Sequence, residues 1–199
     1  MPFSNNYRQI PIDNGLLLYF PGFLDKSESD RFMRRMKQEI QWKQETIRIF
    51  GKSYPTPRLT AWYGDEGIDY SYSGLKLSPN NWVDFLLELK SKIEISSGFS
   101  FNSVLLNWYR DGKDSMGWHS DDERELGRNP VIASLSLGAP RMFRFRSKND
   151  HKNSFGITLE DASLLLMAGS LQHHWQHSLP RTTRPMGDRI NLTFRMIIE

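Results

Sequence analysis

The sequence predicts a mostly β fold, a jelly roll or barrel with flanking helices. Three observations predict it. From residue 101 onward the chain reads as strand after strand: 101–109, 131–137, 141–146, 155–160, 163–167, 174–179 and 189–197. Turn signals separate these runs, and many short strands with turns between them suggest a sheet that closes or folds back on itself. The last run, Arg189-Ile190-Asn191-Leu192-Thr193-Phe194-Arg195-Met196, alternates strictly. Ile190, Leu192, Phe194 and Met196 share one face and the polar residues the other, as expected of a half-buried strand.

The earlier elements follow in order. Gly15 to Phe20 reads as a short apolar strand. Ser27 or Ser29 is placed to cap a helix carrying Phe32, Met33, Met36 and Ile40 on one face. Glu45–Phe50 and Arg58–Tyr63 read as strands around a hairpin-like loop, Gly51-Lys52-Ser53-Tyr54-Pro55. A second helix follows Ser78-Pro79, with Trp82, Phe85, Leu86, Leu89 and Ile93 facing inward. No linker, repeat or low-complexity tract divides the chain, so residues 1–199 are expected to form one domain.

Bulk properties narrow the classes. A chain of 199 residues can bury a real core. The net charge of +3 favours an anionic partner without naming one. With no cysteine there is neither a disulfide nor a thiolate metal site, and a reducing compartment is permitted. Met1-Pro2-Phe3-Ser4-Asn5-Asn6 lacks a basic segment followed by an apolar run, so no secretory signal is expected. No apolar stretch approaches a membrane span.

The chemistry is carried by His119-x-Asp121 and by His177 far downstream. Two imidazoles and one carboxylate can hold an Fe(II) ion on one face and leave the opposite positions open. Residues two apart in an extended segment point the same way, so His119 and Asp121 can reach one ion together. A returning strand must supply the third ligand. His173 and His174 lie close to His177, and His173, which would share its strand face, is the rival. On the final strand Arg189 and Arg195 share the polar face, their Cα atoms about 20 Å apart at 3.3 Å per residue. They cannot grip one small carboxylate side by side, but their side chains can converge on the two ends of a dicarboxylate.

At these residues the chain resembles the AlkB family of Fe(II)- and 2-oxoglutarate-dependent dioxygenases, and most of all its nucleic-acid-repair members. The matching segments are Asn107-Trp108-Tyr109-Arg110-Asp111-Gly112, Gly117-Trp118-His119-Ser120-Asp121-Asp122-Glu123, Ala133-Ser134-Leu135-Ser136-Leu137-Gly138-Ala139, His174-Trp175-Gln176-His177-Ser178-Leu179-Pro180 and Arg189-Ile190-Asn191-Leu192-Thr193-Phe194-Arg195. Upstream, Pro57-Arg58, Tyr63-Gly64-Asp65 and Tyr70-Ser71-Tyr72-Ser73-Gly74 also fit, so the likeness runs from about residue 15 to the end.

The resemblance implies a double-stranded β-helix core at about 101–199, with flanking helices and a nucleotide-recognition lid at about 1–100. It implies His119, Asp121 and His177 as iron ligands, and it favours His177 because twelve residues separate it from Arg189. It implies Asn107, Tyr109, Arg189 and Arg195 as contacts of 2-oxoglutarate, Arg189 on the distal carboxylate and Arg195 nearer the metal. Trp108 alternates to the other face and is expected in the core.

On the substrate side the resemblance puts Tyr72, with Tyr70 and Ser73 near it, against a flipped base, and leaves Arg58 as a phosphate or pocket partner. A cationic alkylated base favours an electron-rich ring and a carboxylate. Asp122 and Glu123 can supply that charge, or can equally form a solvated acidic loop. Phe50, in Ile49-Phe50-Gly51, resembles the hairpin tip that fills the gap left by a flipped base in duplex DNA; the plainer reading is a buried strand-end aromatic. The tracts Arg141-Met142-Phe143-Arg144-Phe145-Arg146-Ser147-Lys148 and Arg181-Thr182-Thr183-Arg184 are candidates for phosphate contact or for a solvated face.

The implied activity is oxidative dealkylation of N-alkylated bases, of the 1-methyladenine and 3-methylcytosine type, using Fe(II), 2-oxoglutarate and O2. The implied partner is alkylated DNA or RNA, with no membrane, and the chain is expected to be monomeric and intracellular, cytoplasmic if bacterial and nuclear if eukaryotic. A hydroxylase or demethylase of a protein, lipid or small molecule on the same core stays open, because fold does not fix substrate. A non-catalytic nucleic-acid-binding protein is a third class.

Overall fold

The computed structural model describes residues 7–49, 51–68, 70–72 and 75–198, with backbone alone for 47–49, 70–72 and 75–77. Two facing sheets form its centre. The larger has eight strands in the order Arg8–Gln9, Leu16–Phe20, Ser163–Ala168, Ile132–Gly138, Arg189–Arg195, Ser103–Tyr109, Leu59–Gly64 and Asn80–Asn81. Its pairings are antiparallel except the last, which is parallel. The smaller sheet is antiparallel, in the order Met116–His119, Trp175–Leu179, Arg141–Ser147 and Ser154–Leu159. This is the jelly-roll arrangement, with strands Leu16–Phe20 and Leu59–Gly64 from the first half of the chain added to the larger sheet.

Alternation within each strand builds two cores. Leu18, Phe20, Val104, Leu106, Leu135, Leu164, Leu166, Ile190, Leu192 and Phe194 point to one side of the large sheet and are buried under two helices. These are α1, Lys26–Glu39, and α2, Asp84–Ser97. Phe32 and Met36 of α1 and Phe85, Leu86, Leu89 and Ile93 of α2 complete that layer. On the opposite side, Leu17, Tyr19, Leu165 and Met167 meet Phe143, Phe145, Trp175 and Leu179 of the small sheet. This second core occupies one end of the space between the sheets. At the other end the inward positions of the two central strands are polar, and there the site forms.

The helix starts differ from expectation. Asp25, rather than Ser27 or Ser29, caps α1: its Oδ1 accepts from Glu28 N at 2.8 Å while Glu28 Oε2 accepts from Asp25 N at 3.2 Å. This reciprocal box satisfies two otherwise unpaired donors. Ser29 is instead buried, its hydroxyl donating to Asp161 Oδ1 at 2.6 Å. Helix α2 begins at Asp84 and ends at Gly98, whose φ of 72° suits a left-handed cap. Trp82 therefore precedes the helix and donates its indole N–H to Asp65 at 2.6 Å.

The hairpin also pairs differently. Thr46–Ile49 pairs with Lys52–Pro55, and Leu59–Gly64 leaves to join Ser103–Tyr109. Gly51, at φ 76°, leads into the Lys52–Pro55 side of that hairpin from the left-handed region. A second hairpin, Tyr70–Tyr72 with Leu75–Leu77, falls where the sequence showed no strand. Phe50 and Ser73, both singled out above, lie outside the described residues, and Tyr70 and Tyr72 are described as strand backbone alone.

Candidate active site

Strand Met116–His119 ends at His119, which pairs directly with His177 on Trp175–Leu179. The rings lie 4.2 Å apart, edge to face. Asp121 comes just after the strand. One donor atom from each of His119, Asp121 and His177 falls within 4.8 Å of the others. His173 does not share the strand with His177: it sits on a helical turn, Leu171–His174, and its Nε2 contacts the Arg128 carbonyl. The rival ligand is thereby removed from the cluster.

Each donor is prepared for a metal. His119 Nδ1 donates to the Gly117 carbonyl at 2.9 Å, which leaves Nε2 with its lone pair outward. His177 is 2% exposed. Burial and the neighbouring His119 push its pKa down to about 3, so the ring is neutral. Burial alone raises the pKa of Asp121, but Arg195 and the two histidines outweigh it and hold the carboxyl at about 2. Arg195 Nη2 donates to Asp121 Oδ1 at 2.7 Å, and the Asp121 backbone N–H donates to Gln172 Oε1 at 3.0 Å. The second oxygen, Oδ2, lies 3.9 Å from His177 Nε2 and is buried without a hydrogen bond. A buried acceptor left unpaired is costly, and a cation between these atoms would satisfy it. The donor set and the orphaned oxygen fit Fe(II).

From the metal cluster a cavity runs between the sheets along the polar face of Arg189–Arg195. Its wall includes Asn107, Tyr109, Ser134, Arg189, Asn191 and Thr193. All seven residues of Arg189–Arg195 are shielded from solvent, Arg195 least, so this polar face is a cavity wall and not a solvated surface. Arg189 is 2% exposed. It donates to Ser136 Oγ at 2.9 Å, and its guanidinium carbon lies 5.4 Å from the Tyr109 ring centre. Its Nε has no partner, and among the described residues no carboxylate pairs with it. Burial lowers its pKa to about 10, so it stays charged near neutrality. A buried cation facing a polar cavity is a ready receptor for an anion.

Asn107 and Tyr109 both line the cavity, as two residues apart on a strand should, and Trp108 turns to the helix side. Asn107 Oδ1 accepts from Arg58 Nε at 2.8 Å. Arg58 thus steadies the cavity wall. Asp122 faces solvent and pairs with Lys148 at 2.7 Å. Glu123 carries a buried Oε2 without a hydrogen-bond partner. Arg141 is 3% exposed and donates to the carbonyls of Asp111, Asp114 and Pro180 at 3.1, 3.0 and 2.8 Å. It fastens three chain segments and is too buried to reach a phosphate. Sequence reasoning gave no role to Ser134, Ser136, Asn191, Thr193 or Gln172. For the four strand residues the only signal was a polar residue at every second position, and Gln172, on the turn Leu171–His174, carried none.

The model of the 2OG-Fe(II) oxygenase superfamily matches residues 16–195. The chain is 44% identical to the alpha-ketoglutarate-dependent dioxygenase alkB homolog 3 of Rattus norvegicus over 187 residues, covering 89% of this chain and 63% of that protein. It spans 63% to 65% of the length of the four alkB homolog 3 relatives it matches. To the DNA oxidative demethylase ALKBH2 of Mus musculus it is 39% identical over 198 residues, covering 92% of this chain and 81% of that one. The solved structure of OsALKBH1 superposes with a TM-score of 0.67 over 95% of this chain and 100% of the other at 19% identity, a likeness of fold. The chain belongs to the AlkB family within the 2OG-Fe(II) oxygenase superfamily.

Proposed function

We propose that this chain carries out Fe(II)- and 2-oxoglutarate-dependent oxidative dealkylation of N-alkylated nucleobases, of the 1-methyladenine and 3-methylcytosine type, in DNA or RNA. The observation that carries the reading is the cavity with a metal-type cluster at one end and, further along the same wall, the buried Arg189, which has no carboxylate partner among the described residues. A dicarboxylate that reaches a metal with one end needs a cation at the other. The names of the relatives, a dioxygenase and a DNA oxidative demethylase, support the same reaction class.

When bound, Fe(II) with 2-oxoglutarate and O2 supplies oxidation of the N-alkyl carbon, after which the alkyl group leaves as an aldehyde and frees the base. The residues supply position. His119 presents Nε2 and His177 a neutral imidazole, and Arg195 occupies one Asp121 oxygen so that the other faces the metal position. Gln172 fixes the Asp121 backbone. Arg189 takes the distal carboxylate, while Asn107, held by Arg58, and Tyr109 hydrogen-bond the co-substrate.

Tyr70, Tyr72 and Ser73 are assigned to recognition of the flipped base, and the buried oxygen of Glu123 suits a cationic base. Phe50 is assigned to filling the gap left in a duplex. Residues 1–199 act as one dioxygenase domain, with the lid supplied from residues before about 100. Among the described residues no helix is long and apolar enough to cross a membrane.

Succinate formation tests the reading in three arms: methylated oligonucleotide, unmethylated oligonucleotide and no oligonucleotide. The expected result is production strongly stimulated by the methylated strand alone. Equal succinate in all three arms would assign the site to another substrate.

A further inference from the structure

We infer that the outer face of the four-stranded sheet holds a second contact for a single nucleic-acid strand, a groove built on Arg144, Arg146, Trp118 and Met142. The inference rests on the nucleic-acid reading above and adds a site on the other face of the small sheet from His119, Asp121 and His177.

The groove lies beside the exposed Met142 and Arg144 of Arg141–Ser147, and Trp118, Ser154 and Gly156 line it, with Phe145 and Phe155 at its edge. Arg146 is not part of this lining and sits next to it against Trp118. Pairing places Arg146 between Gln176 and Ser154, and Arg144 between Ser178 and Gly156. No Asp or Glu occupies an outward position on any of the four strands. The face is therefore positive and uncompensated.

Two features show preparation for a nucleotide. The Arg146 guanidinium carbon lies 4.4 Å from the Trp118 ring centre, and its Nε donates to Gln176 Oε1 at 2.9 Å. The half-buried cation is thereby held by two neighbours. Guanidinium planes backed by aromatic rings can stack on bases, and guanidinium N–H groups donate to phosphate oxygens. Beside it Arg144 is exposed and has neither an ion pair nor a hydrogen bond among the described residues. Met142, 46% exposed, lies across Gly156, where an added Cβ would come within 2.7 Å of its sulfur. The glycine keeps the floor open and leaves a polarisable thioether as a second apolar surface for a base.

The position suits a strand leaving the active site. Trp118 and His119 are neighbours on the edge strand and turn to opposite faces. A strand passing over that edge meets Arg146 first and Arg144 next, their Cα atoms about 7 Å apart along the chain, on the scale of one extended nucleotide.

Arg144→Ala and Met142→Ala remove exposed side chains only. Binding is read by fluorescence anisotropy on an unmodified single strand of roughly 15 nucleotides across a salt series. Turnover is read on a methylated trinucleotide and on the same lesion in the long strand. We expect Arg144→Ala to weaken binding several-fold and reduce the magnitude of the log–log salt slope by about 0.7, one phosphate contact. The KM for the long strand rises and trinucleotide turnover is unchanged. Arg144→Lys restores most of the slope. An unchanged slope and KM overturn the groove, as does equal loss on the trinucleotide. If the wild-type chain makes no succinate on either methylated strand, the dealkylation reading fails, and the anisotropy slope still decides the groove.

Discussion

Replacing Arg189 with methionine separates the co-substrate role from a structural one. The side chain is 2% exposed, donates to Ser136, lies against Tyr109 and leaves Nε without a partner among the described residues. Without a bound anion it is a buried cation lacking a counter-charge, which is destabilising, and an apolar side chain of similar volume is neutral or better. The melting temperature of the metal- and co-substrate-free protein should therefore hold or rise in Arg189→Met. With 2-oxoglutarate the order reverses. A charge-assisted contact to a carboxylate contributes about 1.5–3 kcal/mol, which is roughly ten- to a hundred-fold in affinity. The KM for 2-oxoglutarate should rise by that factor, while binding of an unmodified oligonucleotide stays as in the wild type. The wild type should also gain about 2.7 kcal/mol of stability at a hundred times its dissociation constant, and the variant only about 0.4–1.4 kcal/mol at the same concentration. A large fall in the co-substrate-free melting temperature with unchanged KM would show that Arg189 is a packing residue, and loss of oligonucleotide binding alone would reassign it to phosphate contact.

Three further outcomes follow from the same geometry. His119→Ala, Asp121→Ala and His177→Ala should each abolish turnover and weaken Fe(II) binding in a metal titration, whereas His173→Ala should retain both; the reverse result at residues 173 and 177 would move the third ligand. Arg141→Met should lower stability by about 3 kcal/mol, because three carbonyls lose their donor together; chemical denaturation reads this, and Arg141→Lys, lacking the planar fork, should not rescue it. Burial raises the pKa of Asp161, but Ser29, the Gly138 N–H and Lys26 outweigh it and leave it below the ordinary carboxylate range. A lowered folded-state pKa gives stability that is present above the unfolded value and lost as the pH falls through the folded one. Asp161→Asn should therefore flatten the acid limb of melting temperature against pH, and an identical limb in both proteins would remove Asp161 from that account.

The helix-facing layer was legible because its signal is local. Phe32 and Met36, or Ile190, Leu192 and Phe194, declare a face by periodicity alone, and the structure buries them there. The polar face of the last strand was located correctly, but what covers it was not legible. Alternation assigns sides, and only pairing with Ile132–Gly138 and Ser103–Tyr109 beneath the small sheet makes Asn191 and Thr193 interior. Ser134 and Ser136 hid for the same reason within a strand that reads as core. Long-range pairing also took Leu59–Gly64 from the hairpin assigned to it. The choice of His177 over His173 became a matter of geometry only once a helical turn at Leu171–His174 placed the two histidines in different elements. At α1, Asp25 displaced the nearby serines because Glu28 stands three residues on and completes the box.

The most direct test is the fate of the alkyl group itself. The chain is incubated with Fe(II), 2-oxoglutarate and an oligonucleotide carrying one 1-methyladenine, and the oligonucleotide mass, formaldehyde and succinate are measured together. The account predicts loss of one methyl group per strand, with formaldehyde and succinate in equal amounts and neither formed by His177→Ala. Succinate produced by the wild type without any change in oligonucleotide mass would contradict it.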